Sequence, residues 1–213
     1  MRYSTYLLDF DGTLVDSMST FQKLMLRILD ENNMDYPDDI IKIITPLGCK
    51  GVASYFRTLG TEMKEEQILS LINEYFLEEY KYRIGEKENV INTLKIMKEK
   101  GADLNILTAS PHIMLDACLK RLGIYEIFTN VWSCDDFGTT KADVNIYKMA
   151  AQRLGKPIDE ILFVDDNLNA DKTAKMSGMK VCGIYDESSA DYVDEIKSIT
   201  DHYVYNFAGL LEL

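Results

Sequence analysis

The stretch YLLDFDGTLVDS, Tyr6 to Ser17, sets two aspartates two residues apart at the end of an apolar run and follows them at once with Gly-Thr. In a strand, residues two apart face the same way, so Asp9 and Asp11 lean toward one spot at the strand's carboxyl edge. Two like charges held that close repel each other unless a cation or a shared proton compensates them. A purely structural turn is therefore a weak explanation. One carboxylate of such a pair can act as a covalent nucleophile toward phosphorus, giving an aspartyl phosphate that water then hydrolyses. The second can protonate the leaving oxygen and later take a proton from the attacking water. Mg2+, a hard cation that prefers a few carboxylate oxygens plus phosphate and water, would supply the missing positive charge.

Positioning these groups requires a sheet. From about residue 84 helical segments alternate with short apolar runs, among them DLNILTAS, IFTNVWSCDD, EILFVDDN, MKVCGIYD and HYVYNF. Such alternation predicts right-handed crossovers and a parallel sheet covered on both faces, an α/β Rossmann-like core. The intervening helices stop at Gly101, Gly123, Gly155 and Gly178. Residues 17 to 83 instead show helical periodicity, as in Phe21, Leu24, Met25, Ile28 and Leu29, and again in Ile68, Leu71, Ile72, Tyr75 and Phe76. The reading is a core of residues 1–15 and 84–213 with an all-helical domain, residues 16–83, inserted after the first strand.

In an open parallel sheet, chemistry gathers at the carboxyl ends of the strands. The first strand ends in Asp9-Phe10-Asp11-Gly12-Thr13, the second in Thr108-Ala109-Ser110, and the fourth in Asp165-Asp166. Asp135-Asp136 follows the third, with Lys141 ahead of the next helix. Asp9 and Asp166 offer oxygens to a metal ion, and Asp11 suits the acid and base role. Thr108 can hydrogen-bond a phosphoryl oxygen, and Lys141 can neutralise another. Gly12 lets the backbone approach the phosphate closely, and Ala109 stands beside Thr108 among the candidate substrate contacts. In the helical insertion, TPLGCKGVASYF sets Lys50 in what looks like a glycine-flanked loop, a further candidate contact to substrate.

Lys+Arg 23 against Asp+Glu 35 gives a net charge of −12, which argues against nucleic acid and anionic membrane surfaces as partners. No run of about 18 apolar residues offers a membrane span. Four scattered cysteines without metal-ligand spacing, and no signal-peptide pattern, point to a cytoplasmic protein. The expected partner is a small phosphorylated metabolite, and the expected assembly a monomer or weak homodimer.

The segments DFDGTLVDS, LTAS, Lys141 and VDDNLNAD resemble, in order and spacing, the four motifs of the haloacid dehalogenase superfamily. The resemblance spans nearly the whole chain, and the helical insertion is similar to that superfamily's first type of cap, found in its phosphoglycolate phosphatase-like and beta-phosphoglucomutase-like branch. It implies Asp9 as nucleophile, Asp11 as acid/base with its backbone carbonyl on the metal, Thr108 as the second-motif hydroxyl, Lys141 as the third-motif lysine and Asp166 as metal ligand. Asp165 stands where many relatives have glycine, and either it or Asp171 would assist the metal through water. A sugar-phosphate mutase would use the same residues. A non-catalytic phospho-acceptor module also combines acids, a hydroxyl and a lysine on a parallel sheet, but has no need of the long helical insertion. His112, at a helix start near the site, is more simply a surface residue.

Overall fold

A computed structural model describes residues 2–44 and 47–213. The chain divides into two compact units, Met1–Asp16 with Gly85–Leu213, and Ser17–Ile84. The Asp16 N–H donates to the Gly85 carbonyl at 3.0 Å within the sheet-bearing unit, and the Ile84 N–H to the Glu79 carbonyl at 2.9 Å within the helical one.

That unit opens with β1, Thr5–Leu8, whose side chains are all buried. After the helical unit, which contains α1 (Met18–Glu31), α2 (Ile40–Ile44), α3 (Gly48–Thr58) and α4 (Glu65–Tyr82), the chain returns with α5 (Val90–Glu99) and β2 (Asp103–Thr108). There follow α6 (His112–Arg121), β3 (Asn130–Ser133), α7 (Val144–Leu154), β4 (Ile161–Asp165), α8 (Leu168–Ser177), β5 (Lys180–Ile184), α9 (Val193–Ile199) and β6 (His202–Val204). Among the described residues the strands form one parallel sheet in the order β3-β2-β1-β4-β5-β6. The Rossmann-like α/β core is thus present, with β1 at its centre and an all-helical unit inserted in the chain after it.

Residues two apart on each strand share a face, and one face carries Leu7, Leu107, Phe163 and Val181 into a cluster with Ile146, Tyr147 and Ala150 of α7 and Ala170 and Ala174 of α8. Small residues on both helices allow them to lie close over the centre of the sheet. The Tyr147 hydroxyl is shared between the carbonyls of Lys141 and Ala170, 3.1 Å from each, so a core residue anchors the segment that bears Lys141.

Within the helical unit, α1 buries Leu24, Met25, Ile28 and Leu29, and α4 buries Ile68, Ile72, Phe76 and Tyr80. Phe21 and Phe76 stack at 5.7 Å between centroids. One expectation is corrected here: Lys50 stands not in a loop but in α3, which runs through Gly51. Val52, Ala53 and Phe56 form its buried face, and packing of that face outweighs the roughly 1 kcal/mol by which glycine weakens a helix interior. Thr45 and Pro46, which precede it, lie outside the described residues.

Gly183 of β5 pairs in register with Asp165 of β4 and Tyr203 of β6. A β-carbon there would collide with Ile196 Cγ2 of α9 and stand 2.9 Å from Tyr203 Cδ2. Gly183→Ala is therefore expected to destabilise the protein by about 1–3 kcal/mol through overpacking. The measurement is a shift in denaturant midpoint at unchanged slope, and an unmoved midpoint would refute the close approach of α9.

Candidate active site

Strand register explains why the carboxylates meet. Leu8 pairs with Val164, and the Asp9 N–H continues the ladder to the Val164 carbonyl at 2.9 Å. Asp9 and Asp165 therefore stand side by side at the ends of neighbouring strands, roughly the 4.8 Å strand spacing apart, with Asp166 one residue on. Asp9, Asp165 and Asp166 are all buried, and each offers an oxygen within 4.8 Å of the others.

Lys141 meets this cluster from the segment before α7. Its ammonium is 2.7 Å from Asp9 Oδ1 and 2.7 Å from Asp165 Oδ2. Burial alone would favour the neutral amine, but the carboxylates of Asp165 and Asp9 outweigh it and hold Lys141 firmly protonated. Asp165 Oδ1 accepts the Asn167 N–H at 2.7 Å, and Asn167 in turn caps α8 through the N–H groups of Asn169 and Ala170. Both oxygens of Asp165 are thus engaged, which locks the turn that presents Asp166.

Asp166 is fixed by the loop after β1. Thr13 Oγ1 donates to its Oδ1 at 3.1 Å. Gly12 has φ +74, and a β-carbon there would lie 2.6 Å from Asp166 Oδ2. Only a residue without a side chain allows the loop to rest on that carboxylate. Asp11 points elsewhere: its Oδ2 accepts the Ser110 hydroxyl at 2.5 Å. Thr108 is buried at the end of β2, where its Oγ1 accepts the Ser110 N–H at 3.0 Å. The Thr108-Ala109-Ser110 turn and the Asp9–Thr13 loop therefore meet through Ser110.

The charge balance bears directly on a metal. Burial first, then Asp165, push the Asp9 carboxyl up to about 7 against the opposing pull of Lys141. Burial and the same neighbours hold Asp166 and Asp171 well above the ordinary carboxylate range. Asp171, in the first turn of α8, is fully buried and neither of its oxygens has a hydrogen-bond partner. Several carboxylates around one shared lysine are an anionic, all-oxygen donor set that fits a hard divalent cation.

The sequence candidates fall into two groups. Asp9, Asp11, Gly12, Thr108, Ala109, Lys141, Asp165 and Asp166 stand at or next to this edge of the sheet. Lys50 is exposed on α3 in the other unit. His112, at the start of α6, is bracketed by Asp116 at 3.0 Å and Asp136 at 2.8 Å. Sequence reasoning did not single out Thr13 and Ser110, whose hydroxyls hold Asp166 and Asp11, although both lie within the DGT and TAS segments that drew attention to their neighbours.

A family model for haloacid dehalogenase-like hydrolases matches residues 6–184. The chain belongs to that family. Its relatives include the pyrophosphatase PpaX of Bacillus velezensis, 28% identical over 185 residues that cover 86% of this chain and 83% of that protein. Among solved structures, a predicted phosphoglycolate phosphatase from Haemophilus somnus 129PT superposes with a TM-score of 0.84 at 20% identity, covering 100% of this chain and 98% of that one. CbbY from Rhodobacter sphaeroides, solved in complex with phosphate, has a TM-score of 0.81 at 19% identity over 98% and 96% of the two chains. At these identities the structural likeness establishes the fold. No helix among the described residues is long and apolar enough to cross a membrane.

The raised carboxylates give metal-free stability a definite pH dependence. Unfolded, these groups ionise near the ordinary carboxylate value of 3.8, whereas folded Asp9 keeps its proton to about 7. The folded state binds more protons between those values, so the contribution of these groups to stability is full below about 4 and is lost as pH rises toward about 7. Of the lowered carboxyls, Asp143, Asp186 and Asp201 titrate below 3.8, outside that window, and the exposed Glu31 titrates below 4.5, at its lower edge. Denaturant unfolding in chelator should show this fall, and Asp9→Asn should reduce it, with the remainder carried by Asp166 and Asp171. A wild-type curve that rises across the window, or a slope unchanged in Asp9→Asn, would contradict the assignment.

Proposed function

We propose that this hydrolase is a Mg2+-dependent phosphatase acting on a small phosphorylated metabolite through an aspartyl phosphate. The observation that carries this reading is the buried trio Asp9, Asp165 and Asp166 at the ends of β1 and β4, with Lys141 paired to Asp9 and Asp165. Family membership and the phosphatases among the relatives support it. Bound by Asp9 and Asp166, with Asp165 alongside, Mg2+ would supply the positive charge that lets an anionic ester approach.

An Asp9 oxygen attacks phosphorus as the ester P–O bond breaks, and Asp11 gives its proton to the departing oxygen. The Ser110 hydroxyl steadies Asp11 for that transfer. Thr108 and the backbone beside Ala109 and Gly12 orient the phosphoryl oxygens, and Lys141 balances charge on Asp9 as it changes. Water then attacks phosphorus, Asp11 takes back a proton, and the Asp9–phosphorus linkage breaks to release phosphate. The carboxylate pair, the hydroxyl and the lysine are thereby all used. In this reading the helical unit is a cap that excludes water and large ligands, and it carries substrate choice, with Lys50 as a contact to the leaving group.

The test is a panel of phosphate esters that includes inorganic pyrophosphate, with released phosphate measured in Mg2+ and in chelator. Turnover should require the metal and vanish in Asp9→Asn, while Asp11→Asn should lose roughly 100-fold to 10,000-fold. Equal rates in chelator, or activity in Asp9→Asn above background, would overturn the mechanism. On the same panel Lys50→Ala should slow the best substrate more than a bulky aromatic ester; equal slowing, or none, removes Lys50 from the site.

A further inference from the structure

Lys87 lies outside every motif discussed so far, on the segment by which the chain returns from the helical unit. Its N–H donates to the Leu14 carbonyl at 2.9 Å, and Glu86 pairs with Val15 in an antiparallel bridge, so the outgoing and returning segments form a short ladder. The side chain is 20% exposed and reaches three acceptors at once: the Gly12 carbonyl at 2.5 Å, the Tyr185 carbonyl at 2.8 Å and Asp186 Oδ2 at 2.8 Å. An ammonium has three protons, and here each has an acceptor. Asp186 is itself buried, and its other oxygen accepts the N–H and hydroxyl of Ser188 at 2.9 and 2.6 Å. The lysine is thus anchored beyond β5 by a carboxylate that has no remaining freedom.

What it holds is the loop on which the site depends. Gly12 follows Asp11, rests against the Asp166 carboxylate, and precedes Thr13, which donates to Asp166. We infer that Lys87, anchored by Asp186, is a positioning residue that fixes the Phe10–Thr13 loop and thereby sets Asp11 and Asp166. It touches no reacting atom. Its three bonds join the loop after β1, the loop after β5 and the segment returning from the helical unit, so any shift of that segment is transmitted to the carboxylates. For its kinetic consequence the inference rests on the phosphatase reading; its structural consequence does not.

The experiment compares wild type, Lys87→Met and Lys87→Arg by two measurements. Amide hydrogen exchange on metal-free protein should be faster across residues 10–15 in Lys87→Met, while β2 and β4 keep their protection. In steady-state kinetics kcat should fall about 10-fold to 100-fold, as expected for a misplaced catalytic group, with KM within about threefold of wild type. Lys87→Arg, which keeps the charge and several donors, should recover part of both. If Lys87→Met does not fold, Asp186→Asn, which removes the anchoring charge at constant shape, should show the same changes in milder form. Unchanged exchange at residues 10–15, or exchange that rises uniformly over the sheet, would overturn the inference, as would a wild-type kcat in Lys87→Met. Should wild type release phosphate from no ester, the phosphatase reading fails, and the exchange result alone decides the role of Lys87.

Discussion

The repulsion among Asp9, Asp165 and Asp166 is the constraint around which this unit is organised. Parallel pairing of β1 with β4 forces the first two side by side, and burial denies them water. A chain selected for stability alone would not keep them, because buried charge without a partner costs several kcal/mol. Everything nearby serves to tolerate it. Lys141 divides its charge between two carboxylates, the Asn167 amide takes a free oxygen of Asp165, and Thr13 steadies Asp166. Burial first, and then the repulsion that remains, displace the Asp9, Asp166 and Asp171 carboxyls upward.

The supporting elements follow from that constraint. Tyr147 is a core residue by burial, yet its hydroxyl bonds the Lys141 carbonyl, so packing of α7 onto the sheet also sets the height of the ammonium above Asp9. Asn167 lies two residues past β4 and caps α8, and its bonds keep Asp165 and Asp166 in their relative places. Gly12 removes the one side chain that would displace Asp166. Charge, core and helix cap are thus mutually dependent.

Much of this was legible in the chain itself. The alternation of helices with apolar runs and the strand-end positions of Asp9, Thr108 and Asp165-Asp166 are local patterns, and local periodicity carries them; the lean of Asp11 toward Asp9 is not, because β1 ends at Leu8 and Asp11 turns to Ser110. The contacts of Thr13 with Asp166 and of Ser110 with Asp11 join residues 153 and 99 positions apart, and no period connects them. Lys87 was invisible for the same reason: among the charged residues of its segment nothing marks it, and its partners Gly12 and Asp186 come together only through the order of the strands. Lys50 shows the opposite failure, where two glycines suggested a loop and burial of Val52, Ala53 and Phe56 made a helix.

Whether the crowded carboxylates bind a divalent cation is decided by calorimetric titration of metal-free protein with Mg2+ near pH 6.5 in two buffers of different ionisation enthalpy. Because Asp9 holds its proton to about 7 in the metal-free protein, binding must displace protons. The expected result is one Mg2+ per chain, an observed heat that differs between the buffers by the proton release, and loss of binding in Asp166→Asn. Absence of binding, identical heats in the two buffers, or full binding in Asp166→Asn would contradict it.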